Sequence, residues 1–151
     1  MSGRRTAIAA AAKRRAVKRV LRAALAALLL FGALTAVALE GREVVVLRTF
    51  DQNGTARDTR TWIADAEGAA WVEAANAERP FLLQLRSNPQ VELLRGGSRR
   101  RCRATVLANP DGHQRIRRLL SQKYGWADWW IGMLADTTGS LALRLECAEG
   151  E

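Results

Sequence analysis

The sequence predicts a mainly β (α+β) domain, a small antiparallel barrel or sandwich with two or three short helices, carried behind an N-terminal apolar helix that meets a membrane. Three observations predict it: short apolar or alternating runs punctuated by Asn, Asp and Gly from Glu43 onward, a basic N-terminus without acidic residues, and one long uncharged run. Alternation marks antiparallel strands and hairpins, because successive side chains of a strand point to opposite faces.

With 151 residues the chain has room for one domain and an appendage. Its formal net charge of +9 is concentrated in residues 1–22. Of the 24 lysines and arginines, eight lie there with no acidic residue among them, which leaves sixteen against fifteen acidic residues in the rest of the chain. The globular part is therefore nearly neutral, which argues against nucleic-acid binding. A basic stretch directly before an apolar run is a membrane-targeting pattern, with the basic side cytoplasmic.

The apolar run is Ala23 to Leu39, seventeen residues without charge. At ~1.5 Å per residue it spans roughly 25 Å, just short of a ~30 Å hydrocarbon core. Its larger apolar side chains favour insertion by about 0.3–0.6 kcal/mol each. A spanning anchor is the leading reading. A cleavable signal, for which Ala36-Val37-Ala38 has the small-x-small pattern, and a helix lying on the membrane surface are the other two. The domain expected beyond it runs from residue 43 to 148, after a link too short to hold it far from the bilayer.

Within that domain Val44-Val45-Val46-Leu47 opens a hairpin whose turn signal is Asn53-Gly54, and Thr61-Trp62-Ile63 returns. Ala69 to Val72 make a third strand. Pro80 begins a short helix that Asn88-Pro89 ends. Val91 to Arg95 and Arg99 to Leu107 pair across Gly96-Gly97, with Arg99, Arg101 and Arg103 on one face, either solvated or anion-facing. Asn109 or Asp111 caps a helix whose apolar stripe is Ile116, Leu119 and Leu120, and Gly125 breaks it. Trp126, Trp129, Trp130, Met133 and Leu134 then recur at helical spacing, a stripe that belongs in the core or walls a planar ligand. Leu141 to Cys147 is the closing strand.

Cys102 and Cys147 have inward parity on apparent strands, so buried thiols are expected, with a disulfide as the alternative if the strands are neighbours in an exported domain. The familiar catalytic constellations are missing: there is no P-loop, G-x-S-x-G or H-E-x-x-H, and His113 is the only histidine. No catalytic side chain and no metal site are expected. Arginines and aromatics on a barrel instead suit a planar, anionic, redox-active cofactor that brings its own chemistry.

The segments Asn53-Gly54-Thr55-Ala56-Arg57-Asp58-Thr59 and Phe81-Leu82-Leu83-Gln84-Leu85-Arg86-Ser87-Asn88-Pro89-Gln90-Val91 resemble the deazaflavin-dependent nitroreductase and quinone reductase family. That family has a split β-barrel of about six antiparallel strands, related to the flavin-binding pyridoxamine-phosphate oxidases. The resemblance implies hydride transfer from a reduced deazaflavin (coenzyme F-420), or less favourably FMN, to a quinone, a nitro compound or a similar acceptor. It implies cofactor contacts at Arg57, Thr59, Ala74, Ala75 and Asn76, and substrate contacts at Tyr124, Trp126, Trp129 and Trp130. One stretch departs from the family: Phe50-Asp51-Gln52 stands where Gly-Arg-Lys is usual, with Arg48 and Arg60 flanking the turn as compensating cations. At roughly 1.5–3 kcal/mol per charged hydrogen bond, that departure weakens the hold on an anionic tail. The alternative function is a non-catalytic ligand-binding or interaction module tethered to the membrane. Topology sharpens the choice, since a spanning anchor with a cytoplasmic tail puts the domain outside, whereas a deazaflavin reductase belongs inside.

Overall fold

Alternating burial closes the strands into a barrel. In the computed structural model, which describes residues 2–148 and the side chains from residue 13, β1 (Val44–Phe50) turns Val45, Leu47 and Thr49 inward and leaves the residues between them half-exposed. β2 (Ala56–Ala66), β3 (Ala69–Ala74), β4 (Gln90–Arg95), β5 (Ser98–Val106) and β6 (Leu141–Cys147) complete it, and all six pair antiparallel in the order β1-β2-β3-β6-β5-β4, with β3 buried on both faces at five of its six residues because a helix covers its outer side. The eleven-residue β2 serves two neighbours. Its first part pairs with β1 from Phe50↔Ala56 to Val44↔Trp62, and its last four residues pair with β3.

Two hydrophobic clusters hold this arrangement. One fills the barrel with Leu47, Ile63, Val72, Leu93, Leu143 and Leu145, joined by Phe81, Leu82 and Leu85 of α2 (Pro80–Ser87). The other lies outside the sheet, where Ile116, Leu120 and Tyr124 of α3 (Asp111–Tyr124) cover Ala64, Trp71 and Ala142. Each such aliphatic side chain contributes about 1.5–3 kcal/mol on burial. Asn109 does cap α3, its Oδ1 accepting from the His113 amide at 3.1 Å, although Pro110 occupies the capping position itself. Gly125 ends α3 with φ +55°, a left-handed conformation that L side chains rarely adopt, and so re-aims the chain into α4 (Trp126–Leu134).

Two expectations need correction. The cysteines are not thiols: Cys102 and Cys147 face each other across β5 and β6 and form a disulfide. Spacing alone gave no sign of that register. The aromatic stripe of α4 is not core either: Trp126, Trp129, Met133 and Leu134 are exposed, and the helix buries Ala127 and Asp128 instead. The inward face is chosen by an ion pair, because Arg117 Nη2 reaches both oxygens of Asp128 at 2.7 Å.

The N-terminal helix α1 (Ser2–Glu40) is long and apolar enough to cross a membrane, and its described apolar side chains, such as Leu21, Leu28 and Leu29, are exposed. The chain divides into two compact units, one ending at Val37 and the other starting at Ala38. The last three residues of α1 thus belong to the barrel unit.

Candidate functional site

A cavity of about 400 Å³ opens on the barrel unit between the end of α1, β2, β3, α2, α3 and α4. Its apolar surface comes from Leu39, Val44, Trp62, Phe81, Leu120 and Ile131. Each reaches it for a local reason. Trp62 sits on the strand segment that β1 pairs, with its ring stacked on Tyr124 at 4.6 Å and its Nε1 donating to the Leu39 carbonyl at 3.4 Å. Phe81 follows the proline that starts α2, and Leu120 is one turn beyond Ile116 on α3.

The polar part of the wall is a group of three ionic side chains that the sequence did not announce. Arg117 bridges Glu73 of β3, at 3.0 Å, and Asp128 of α4, at 2.7 Å. The side chains of Glu73 and Asp128 are only 16% and 7% exposed, so both charges depend on that guanidinium. The second Glu73 oxygen, Oε1, is buried and has no hydrogen-bond partner among the described residues. An unpaired buried acceptor costs about 1–3 kcal/mol.

The sequence-expected cofactor residues divide. Thr59, Arg60 and Ala75 line the cavity. Arg48 lies elsewhere, held by the Asp58 carboxylate through two hydrogen bonds of 2.6 and 2.8 Å. Arg57 is exposed and has no ionic partner among the described residues. Ala74 is buried in the barrel core, and Asn76 Oδ1 accepts from the Glu78 amide in the following turn. Of the substrate residues, Tyr124 is buried, its hydroxyl within 2.7 Å of the Ile63 carbonyl and 2.9 Å of the Glu43 carbonyl, and burial pushes its phenol pKa up. Trp126 and Trp129 are exposed and Trp130 is half-buried, and none of the four lines the cavity.

A phosphate-bearing cofactor needs unpaired cations or free amides, and the cavity offers few. Three arginines line it against four carboxylates, Glu40, Glu73, Asp128 and Asp136. Arg117 is taken as above, and Arg60 is bonded to Glu40 at 2.5 Å, which leaves Arg79. The turn between β1 and β2 is closed to an anion as well. Asp51 Oδ1 accepts from the amides of Asn53 and Thr55 at 2.9 and 2.8 Å, so the chain's own carboxylate occupies the donors. Those amides, Thr55 first, hold the Asp51 carboxyl below its usual range. The residues of the cavity fit an apolar ring with a hydrogen-bond donor and do not fit a phosphate tail.

No family model matches the chain, and no curated protein matches it either. Solved structures do match in fold. A candidate pyridoxamine 5′-phosphate oxidase of Listeria innocua is 17% identical over 75% of this chain and 90% of its own, with a TM-score of 0.54. The heme storage protein HutZ of Vibrio cholerae is 16% identical over 75% and 87%, also at 0.54. An F-420 reductase is 17% identical over 76% and 93%, at 0.51. The barrel thus has the split-barrel fold of the pyridoxamine-phosphate-oxidase type.

Proposed function

We propose that this protein is a membrane-tethered split barrel that binds an apolar, ring-bearing small molecule in the barrel-unit cavity lined by Leu39 and Glu40, with a hydroxyl or amine of the ligand donating to Glu73. The observation that carries the reading is the buried, unpartnered Oε1 of Glu73 in an otherwise largely apolar wall. The chain's electrostatics agree, since a net acidic lining repels phosphates and accepts donors. Location supports the same reading. A basic N-terminus keeps the tail in the cytoplasm, and the Cys102–Cys147 disulfide is at home in an oxidising compartment, so the anchor carries the domain to the outer side. A hydroquinone, lipid-soluble and bearing two O–H donors, is a ligand of the required class.

The deazaflavin or FMN reductase is the second reading, favoured by Thr59, Arg60 and Ala75 lining the cavity and by the exposed Arg57, which has no ionic partner among the described residues. In that case the anionic tail lies outside the cavity, on the exposed Arg57, and only the ring enters the cavity. The bound cofactor supplies the hydride for a quinone or nitro acceptor.

One titration separates them. The full chain in detergent micelles is titrated with a short-chain hydroquinone, its quinone, FMN and deazaflavin, with tryptophan emission as the signal. Saturable hydroquinone binding, weaker for the quinone and roughly ten- to hundredfold weaker in Glu73→Gln, is expected from a hydrogen bond to a charged group. Hydroquinone binding that ignores Glu73→Gln, or no such binding by the folded chain, overturns the first reading. Saturable deazaflavin or FMN binding lost in Arg57→Ala establishes the second.

A further inference from the structure

Helix α4 leaves its most apolar face bare. Trp126, Trp129, Met133 and Leu134 are 47%, 64%, 53% and 49% exposed, while the helix's inward contacts run through Ala127 and Asp128. We infer that this face lies in the interface of the bilayer that holds α1, so that α4 is a second, peripheral membrane contact of the barrel. The inference rests on the reading of α1 as a membrane anchor.

The position of the chain's exit from the apolar run argues for a lipid occupant. Ala38 is buried, the Leu39 carbonyl accepts from Trp62, and Glu40 pairs with Arg60, so the end of the run is fixed on the barrel unit. Leu39 and Glu40 line the same cavity as Ile131 and Gly132 of α4. Two residues after Glu40, the Arg42 guanidinium stands over the Trp126 ring at 5.3 Å. A bilayer surface that meets the chain at Leu39 therefore meets α4 as well.

The chemistry of the face agrees. Tryptophan gathers at the membrane interface because its ring is apolar and its N–H remains in reach of water and headgroups, and an arginine beside it can reach lipid phosphate. A second copy of the chain is a poorer occupant. Two tryptophans that bury ~150–250 Å² each at most, already half covered, with one methionine and one leucine, fall short of the ~800 Å² per partner of a specific interface.

The test uses the full chain reconstituted in phosphatidylcholine vesicles, with or without bromine on the acyl chains. All five tryptophans lie beyond residue 60, so their emission reports only on the barrel unit. Co-flotation with the vesicles checks the anchor. Bromine near the headgroup end of the acyl chain should lower emission by up to roughly two-fifths, the share of two tryptophans among five, and bromine near the chain end by less. The loss should vanish in the Trp126→Phe, Trp129→Phe double variant. A chain that floats but keeps its emission, or a double variant quenched like the parent, overturns the α4 contact and leaves the anchor standing. Cross-linking between the α4 helices of two copies in unquenched vesicles overturns it in favour of a dimer. Failure to float removes the anchor and the α4 contact together.

Discussion

α3 and α4 are consecutive helices separated by Gly125, both amphipathic, and they use their faces in opposite ways. α3 turns Ile116, Leu120 and Tyr124 against the sheet and presents Arg118 to solvent, as its pattern requires. α4 presents its tryptophans outward and turns in Asp128, whose partner Arg117 stands on α3. The difference teaches that a hydrophobic stripe names a face that avoids water without naming what covers it. A buried charge with a fixed partner can outrank the stripe, since leaving it unpaired costs several kcal/mol while one exposed tryptophan forfeits about 1.5–3 kcal/mol of burial.

Removing the charge is the strongest way to break the comparison. Arg117→Met leaves Glu73 and Asp128 buried without a cation and should cost about 4 kcal/mol. Urea unfolding of the full chain in micelles measures it, and adding Glu73→Gln and Asp128→Leu should restore most of the loss. A single-variant cost below 1 kcal/mol would show that α4 is not held by its ion pair. On α3 the corresponding change is apolar. Ile116→Ala should cost about 3 kcal/mol through lost burial and the cavity left behind, with no recovery from any change of charge.

The strands were legible because short apolar runs are set off by Asn, Asp and Gly turns, and α3 because its stripe and its caps agree. Register was not. Arg48 reads as a free cation beside a binding turn, yet it stands opposite Asp58 on β2 and is taken by it. Cys102 and Cys147 are 45 residues apart in sequence, and only the pairing of β5 with β6 brings them together. The cavity was legible only at Thr59, Arg60 and Ala75. Glu73 and Arg117 are 44 residues apart, and nothing in either segment points to the other. One signal was available: an aspartate in the middle of the apolar stretch from Trp126 to Leu134 is unusual enough to ask what it binds.

A smaller effect concerns the far end of α3. Lys123 in its last turn reaches Glu43 at 2.5 Å, and Arg95 joins the same carboxylate to Asp65. Arg95 first and Lys123 second hold both carboxyl groups below their usual range. The folded values are lower than the unfolded ones, so the network stabilises above the ordinary carboxylate range, and that contribution is lost as pH falls through the folded values. These groups are partly exposed, and screening leaves about 1 kcal/mol for the network. Thermal unfolding between pH 7 and pH 3 should show the loss, and Arg95→Gln should flatten it. An unchanged acid slope in that variant would mean that α3 is docked by its apolar face alone.

The smallest stability change should come from the largest side chain on α4. Trp129→Ser removes an indole from a position that is 64% exposed, so unfolding in micelles should move by no more than about 0.5 kcal/mol. The comparison with Ile116 is then sharp, because a smaller side chain on α3 costs several times more. A loss of 2 kcal/mol or more at Trp129 would mean that the indole is packed, and the exposed face of α4 would have to be abandoned. A null result has a physical consequence of its own: a tryptophan that contributes nothing to folding is free to meet a partner surface, and the vesicle quenching experiment then decides whether that surface is the bilayer.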